Sequence, residues 1–233
     1  PGFFMVRYSR QQEGAEDVVL PSGLSQWKVR LAATEPGPLR VTLKARDRSG
    51  TKTFALPRAI AVADSRQAKG FVRVSRADPR YLAHDCGEGF VPIGHNVPIY
   101  QSSNGMSVKD ILEKMAANGE NWNRWWMSKG GLGLEWEPKL GWYRQGQAAK
   151  LDWLLEDAGR LGMYYLLCMD THQDFREDGW KANPFNAAQG GPCKTAGEWF
   201  TSEAAKALYR KRLRYTVARW GYSPHVLCWE FGN

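Results

Sequence analysis

The stretch His225-Val226-Leu227-Cys228-Trp229-Glu230-Phe231-Gly232-Asn233 decides the fold of this chain. A Tyr-Ser-Pro turn precedes it, and an amphipathic helix pattern precedes the turn. A short apolar run in this setting predicts a buried β-strand that ends on a polar residue. In a parallel α/β barrel the carboxyl end of such a strand is where chemistry is placed.

The same alternation of helix and strand extends back through the second half of the chain. A capping box at Ser107-Val108-Lys109-Asp110 predicts the start of the first helix. Further strands are predicted at 121–127 and 163–170, and the third helix is expected to turn Tyr209, Leu213, Val217 and Trp220 to one apolar face. Strand-to-helix loops run to roughly 10, 20 and 30 residues, against a usual 2–6. Long loops at one end only predict that this end carries the function.

Four strand–helix steps can be counted, the fourth reduced to its strand, whereas a closed barrel needs eight.

Residues 1–84 show a different pattern, which predicts short strands with alternating polar and apolar residues, such as 27–31 and 41–46, separated by turns rich in Gly, Pro and Asp. The predicted fold class is therefore α/β: a small all-β sandwich at 1–84, followed at 85–233 by the first half of a (β/α)8 TIM barrel.

The amino-acid composition limits which classes of partner and metal are expected. The 233 residues carry a net charge of +8, with 43% hydrophobic and 24% charged residues, as in ordinary globular proteins. The basic residues are scattered, and the dense cluster Arg210-Lys211-Arg212 with Arg214 is expected to be the wet face of a helix, so no nucleic-acid partner is predicted. No apolar run approaches a membrane span, so no membrane partner is predicted. The four cysteines show no Cys-x-x-Cys spacing, and no structural zinc site is predicted.

Three polar residues stand where predicted strands end. Arg124 closes Gly119-Glu120-Asn121-Trp122-Asn123-Arg124, His172 follows Asp170-Thr171, and Asn233 ends the opening stretch. Asp170 is expected to be a buried hydrogen-bonding partner, and Glu230 a core carboxylate that lies deeper in the barrel. The carboxyl ends of parallel strands share one rim, so Arg124, His172 and Asn233 are predicted to be near neighbours.

These residues resemble the clan A retaining glycoside hydrolases, which include family five. The second-strand motif Gly-x-Asn-x-x-Arg matches Gly119–Arg124, the third-strand His matches His172, and Asn233 matches the Asn directly before the acid/base Glu. Residues 81–96, with the pattern Asp-x-x-x-Gly-Phe-x-Pro-x-Gly-x-Asn, resemble the hairpin that links an N-terminal Ig-like domain to the barrel in such enzymes.

The resemblance implies a hydrolase that cleaves β-linked poly- or oligosaccharides by double displacement, with two Glu roughly 5 Å apart. Both are expected beyond Asn233, so this chain alone is expected to be inactive and to need the C-terminal half of the barrel. Arg124 would keep the nucleophile ionised, His172 would border the cleavage subsite, and Asn233 would bind the sugar 2-hydroxyl. No metal or organic cofactor is implied, and a secreted or periplasmic location is expected.

Tryptophans indicate where a sugar would bind. Ten of the 11 lie between 122 and 229, and indole rings stack on the C–H faces of sugars while donating N–H to their hydroxyls. The predicted substrate-binding residues are His95, Asn96, Trp126, Trp136, Trp142 and Trp180.

Two other functions fit parts of the pattern. One is a non-catalytic carbohydrate-binding protein on the same barrel, which the residue after Asn233 would distinguish. The other is a metal-dependent barrel hydrolase using His84, His95, His172 and His225, although the usual His-x-His pair of such sites is absent.

Overall fold

The structure is a computed structural model that describes residues 1–65, 68–128, 131–135 and 139–232. Its strands are β1 Phe3–Glu13, β2 Glu16–Lys28, β3 Gly37–Leu39, β4 Thr42–Asp47, β5 Gly50–Ala55, β6 Ile60–Val62, β7 Val72–Val74, β8 Leu82–His84, β9 Gly89–Phe90, β10 Trp122–Trp126, β11 Tyr164–Cys168 and β12 Val226–Glu230. Its α-helices are α1 Val108–Ala117, α2 Gln145–Leu161, α3 Glu177–Lys181, α4 Glu198–Thr201 and α5 Glu203–Trp220. Short 3₁₀ segments span His172–Phe175 and Ala187–Gln189.

Three strands form a parallel sheet in the order β10-β11-β12, which confirms the predicted alternation of strand and helix. The predicted capping box is present, since Ser107 Oγ accepts from the Asp110 amide and the Asp110 carboxylate accepts from the Ser107 amide. At the end of α2, Gly162 adopts φ +67°, which favours glycine and allows the chain to turn at once into β11.

The two faces of this sheet differ in burial. Trp125, Tyr165 and Leu167 are at most 1% exposed and pack in one core with side chains of α1, α2 and α5. The register pairs Arg124 with Leu166 and Leu166 with Cys228, so these residues share the opposite face, where Leu166 is only half-buried and Cys228 is exposed. The sheet therefore has one face covered by helices and one open face, as expected for part of a barrel in which the open face is the interior side.

The first barrel strand, which the sequence predicts to end at residues 94–96, is a strand-like segment rather than a regular strand. The amide of Asn121 donates to the carbonyl of Ile93, and the amide of Trp126 donates to that of Pro98. The Asn123 side chain completes the pairing by accepting from the Val97 amide and donating to its carbonyl. A Cβ at Gly94 would lie 2.0 Å from the Trp122 carbonyl oxygen, so this close approach requires glycine.

The β1–β2 hairpin packs on α2 and α5, and Phe3 at its start is 1% exposed in the same core. Nearby lies the Asp152 cluster, which we define as Asp152, Arg30, Arg219 and Trp220. Arg219 is fully buried and donates two bonds to Asp152 at 3.2 and 2.7 Å, Arg30 donates one at 2.7 Å, and the Trp220 indole donates one at 2.8 Å.

The chain divides into two compact units, 1–30 with 91–233, and 31–90. This grouping differs from the predicted boundary between 1–84 and 85–233, because the β1–β2 hairpin packs on the helices of the second half. Within 31–90 the strands form small antiparallel sheets: β3–β6, β4–β5 and β7–β8–β9. Every residue of β4 and β5 is exposed, whereas a sandwich buries one face of each sheet, so the Ig-like sandwich stays a prediction.

Candidate functional site

Arg124 and Glu230 form an ion pair on the open face of the sheet. Arg124 Nε lies 2.7 Å from one oxygen of Glu230 and Nη2 lies 2.5 Å from the other, which is the bidentate geometry that favours Arg–carboxylate pairs. This pair was not foreseen, since Arg124 was expected to serve a carboxylate on a later strand. The spacing carried a signal, however, because Glu230 shares the inward parity of the residue that would follow Asn233.

Cys168 lies beside this pair, with its Sγ 3.9 Å from Arg124 Nη2. Burial raises the pKa of the Cys168 thiol to about 12, and the charge of Glu230 adds to the rise. The sulfur therefore stays protonated at neutral pH, which argues against a nucleophilic role.

A cleft of about 580 Å³ opens at the carboxyl end of the sheet. Its walls are His172 after β11, Phe231 and Gly232 after β12, and residues of the long β11–α5 loop and of α5. The structure thus places the predicted site residue His172 in a cavity at the end of the sheet that sequence reasoning assigned to function. Asn233 and Trp136 lie outside the described residues, and no hydrogen bond or ion pair joins Arg124 to His172 within the described part of the chain.

Aromatic rings dominate the cleft wall. Phe175 packs on Trp199 with ring centroids 4.9 Å apart, and Trp199 packs edge-on against Phe200 at 4.9 Å and Tyr209 at 5.0 Å. Phe200 and Phe231 remain 63% and 67% exposed. The predicted substrate-binding residues include none of these phenylalanines, because tryptophan was the aromatic residue weighed in that prediction.

The remaining predicted substrate-binding residues are scattered. Trp142 is 63% exposed on the loop before α2, and Trp126 is the half-buried last residue of β10. Trp180 packs against a small second apolar cluster that contains Phe185. Their roles in sugar binding stay predictions.

His95 and Asn96 lie within the strand-like segment, and both are exposed. His95 Nδ1 lies 2.7 Å from the Glu120 carboxylate, which precedes the amino-terminal end of β10. This contact turns the His95 side chain toward the end of the sheet opposite the cleft. Whether either residue binds substrate stays a prediction.

The prediction that the basic run on α5 is solvent-exposed was wrong for one of its residues. Arg212 is 6% exposed and its Nη2 donates to both oxygens of Asp170, at 2.7 and 2.5 Å. Asp170 is itself 8% exposed, which confirms its predicted role as a buried hydrogen-bonding partner.

No group of three or more His, Cys, Asp or Glu side chains that could hold a metal ion is found among the described residues. Of the four histidines, His225 bonds the Met163 carbonyl before β12 begins, whereas His172 follows the end of β11. Across the same residues, no helix combines the length and apolarity needed to span a membrane.

Comparison with known proteins was informative at the level of structure. No family model and no curated protein sequence matches the chain. A provisionally assigned glycoside hydrolase from Bacteroides vulgatus ATCC 8482 is similar over 100% of this chain and 51% of its own, with a TM-score of 0.53 and 11% identity.

Two further solved structures resemble parts of the chain. A family 5 glycoside hydrolase mannosidase from Rhizomucor miehei has a TM-score of 0.49 at 20% identity, with 71% of this chain and 49% of that one covered. An endo-β-1,4-mannanase from Thermotoga petrophila has a TM-score of 0.47 at 20% identity, with coverage of 63% and 35%.

The chain spans about half the length of the Bacteroides protein. At 11% identity that similarity establishes a shared fold and leaves activity open. The architecture of the chain is therefore one that occurs within a glycoside hydrolase-like protein and accounts for about half of it.

Proposed function

We propose that this chain is part of a retaining glycoside hydrolase that cleaves β-linked poly- or oligosaccharides. The observation that carries the proposal is the cleft at the carboxyl end of the parallel sheet, where His172 lies among exposed aromatic rings. Such rings stack on sugar C–H faces, and the carboxyl end of the strands is where barrel enzymes place their sites.

The proposed reaction needs two carboxyl groups, one that protonates the leaving oxygen and one that attacks the anomeric carbon. Both are expected on strands beyond those described, and Asn233 would precede the first of them. The open face that carries Leu166 and Cys228 supports this arrangement, because further strands would cover it and close the barrel. A secreted or periplasmic location is part of the same proposal.

One observation favours the alternative, a non-catalytic carbohydrate-binding protein on the same barrel. Arg124 is already engaged through two nitrogens by Glu230, so its charge is partly neutralised without a nucleophile. The amino acid that follows Asn233 in the natural coding sequence distinguishes the two functions, since only a Glu there supports catalysis.

Calorimetry with mannotetraose and cellotetraose tests binding by this chain. We expect Phe200→Ala, which removes an exposed ring of the cleft wall, to weaken binding of the preferred tetrasaccharide by about fivefold or more, since loss of a stacking ring costs on the order of 1 kcal/mol or more. Phe54→Ala is the matched control, because Phe54 is an exposed aromatic on β5, in the other compact unit.

Hydrolysis of β-mannan and β-glucan, measured with this chain and with a form extended past Asn233, tests catalysis. Activity in the extended form alone is the expected result. Activity in the chain itself would refute the assignment of both catalytic carboxyl groups to later strands.

A further inference from the structure

Beside the cleft lies a buried group of charges that the proposed reaction does not use. We define the Asp170 cluster as Glu135, Asp170, Asp174 and Arg212, all at most 8% exposed. These side chains line a cavity of about 20 Å³ that separates the loop after β10 from the loop after β11. The cluster therefore connects three parts of the chain, because Arg212 comes from α5.

Glu135 is the exceptional member. It is 2% exposed, and within the described residues neither of its carboxylate oxygens has a hydrogen-bond partner. Its nearest charge is Arg212 Nη1, 3.6 Å from Oε2, but the hydrogen bonds of that guanidinium go to Asp170. A buried ionised carboxylate without hydrogen bonds is far more costly than its protonated form, which carries only the smaller penalty of an unpaired polar group.

The charges do not balance if all three acids ionise, because one guanidinium faces three carboxylates. Lys211 on α5 adds a more distant positive charge, and the hydroxyl of Tyr143 before α2 also faces Glu135. Burial raises the pKa of Glu135 to about 7, with the charge of Arg212 opposing the rise and that of Asp170 adding to it. Burial likewise raises the pKa of Asp174 to about 6, against its hydrogen bonds from Thr171.

The cluster shares a wall with the cleft. Asp170, Phe175 and Trp199 line both the small cavity and the cleft. Asp170 and Phe175 also bracket the short segment that carries His172, so the position of this segment depends on how firmly Asp170 is held by Arg212.

We propose that Glu135 is a positioning residue of the cleft and acts in its protonated form. With Glu135 neutral, Arg212 is committed to Asp170 and holds residues 170–175 against α5. When Glu135 loses its proton to solvent, a second buried carboxylate competes for Arg212, the hold on Asp170 weakens, and carbohydrate binding in the cleft weakens with it. The binding consequence rests on the proposed function, whereas the loosening of 170–175 does not.

Amide hydrogen exchange of residues 170–175 at pH 6 and pH 8, corrected for the intrinsic pH dependence of exchange, tests the loosening. For the wild-type chain we expect protection to fall by about tenfold over this interval, the change that one linked proton with a pKa of about 7 produces. Glu135→Gln should remove most of this dependence, because its amide cannot ionise and only the smaller change from Asp174, with a pKa of about 6, remains.

Glu156→Gln is the matched control, since burial also raises the pKa of Glu156, which lies on α2 away from the cleft lining. It should retain the tenfold change. Glu135→Met, of similar length and without charge, replaces the glutamine variant if that variant does not fold. Equal pH dependence in wild type and in the Glu135 variant would overturn the proposal.

Calorimetry with mannotetraose and cellotetraose at the same two pH values separates the two proposals. Weaker binding at pH 8 in wild type, but not in Glu135→Gln, supports both. Absence of binding at either pH, together with the expected exchange result, overturns the proposed function and leaves the positioning role of Glu135 intact. Equal binding at both pH values with constant protection overturns only that role.

Discussion

The Asp152 cluster and the Asp170 cluster both draw arginines from α5 and differ in charge balance. In the Asp152 cluster one carboxylate receives bonds from Arg219, Arg30 and the Trp220 indole. In the Asp170 cluster one guanidinium faces three carboxyl groups, and the Glu135 carboxylate has no hydrogen-bond partner among the residues that the structure describes. Cations exceed anions in the first cluster, whereas anions exceed cations in the second.

This difference in charge balance makes the Asp152 cluster a purely structural ion pair, whereas the Asp170 cluster can respond to pH. Burial alone would raise the pKa of Asp152, but hydrogen bonds from Arg219 and Arg30 outweigh it and hold the pKa below its ordinary value. The cluster that joins α2 to α5 therefore keeps its charges across the neutral range. The cluster beside the cleft changes its charge near neutral pH, which makes it the one of the two that can respond to conditions.

Asp152→Ala should have the largest effect of the changes considered. It leaves Arg219, fully buried, without its carboxylate, and removing one partner of a buried ion pair costs about 3–5 kcal/mol. Because the folded pKa of Asp152 is lowered, its contribution is present above the unfolded value and is lost only as the pH falls below that value. Urea unfolding should therefore show the same loss at pH 5 and pH 8.

Asp178→Ala is the control for this change, since its side chain is 98% exposed and its removal should alter stability little. A loss for Asp152→Ala of less than about 1 kcal/mol would mean that Arg219 finds other partners, and the contrast between the clusters would fail.

Arg212→Met should destabilise somewhat less and in a pH-dependent way. At pH 8 it leaves the carboxyl groups of the Asp170 cluster without their cation, at the lower end of about 3–5 kcal/mol. At pH 5 the loss should be smaller, because Glu135 and Asp174, with pKa values of about 7 and 6, are already protonated. Urea unfolding at both pH values measures this, and equal losses would contradict the proposed imbalance of charge.

The parallel strands and the helix ends show which parts of the fold could be predicted from the sequence. The parallel strands, the start of α1 and the end of α2 follow from short-range chemistry: apolar runs, the Ser107–Asp110 capping box and the left-handed Gly162. Each signal acts within a few residues, so a linear sequence contains it in full.

The burial of arginines was not predictable in the same way. The basic run 210–214 on α5 was predicted to be a solvated face, yet Arg212 is buried. Further along the same helix Arg219 is buried too, and Val217, assigned to the apolar face, is 52% exposed. Their partners Asp170 and Asp152 lie more than 40 positions away. Burying a charged side chain is tolerated only when an opposite charge offsets its desolvation penalty. Here that charge comes from a distant part of the sequence, so no local pattern predicts the burial.

The candidate site was predictable in its location and less so in its members. Because the carboxyl ends of parallel strands lie at one rim, His172 was predicted at that rim, and the structure has it in the wall of the cleft there. The pairing of Arg124 with Glu230 depends on the register of β10, β11 and β12, which includes an irregularity after Tyr165. Sequence spacing alone does not fix such a register.

Glu135→Gln should have the smallest effect on stability and the opposite sign. The folded pKa of Glu135 is raised, so its contribution is favourable below the unfolded value near 4.5 and is lost as the pH rises to about 7. That shift corresponds to about 3 kcal/mol, and the amide retains part of the cost of burying a polar group, so we expect the variant to be about 2 kcal/mol more stable than wild type at pH 8.

At pH 3.5 and below the two proteins should unfold at nearly the same urea concentration, because wild-type Glu135 is then largely neutral in both the folded and the unfolded chain. Glu177→Gln, with a side chain 86% exposed, should follow wild type at every pH. A variant less stable than wild type at pH 8 would show that ionised Glu135 is stabilised by Arg212 despite the geometry. The Asp170 cluster would then be a structural ion pair like the Asp152 cluster, and the distinction between the two would be lost.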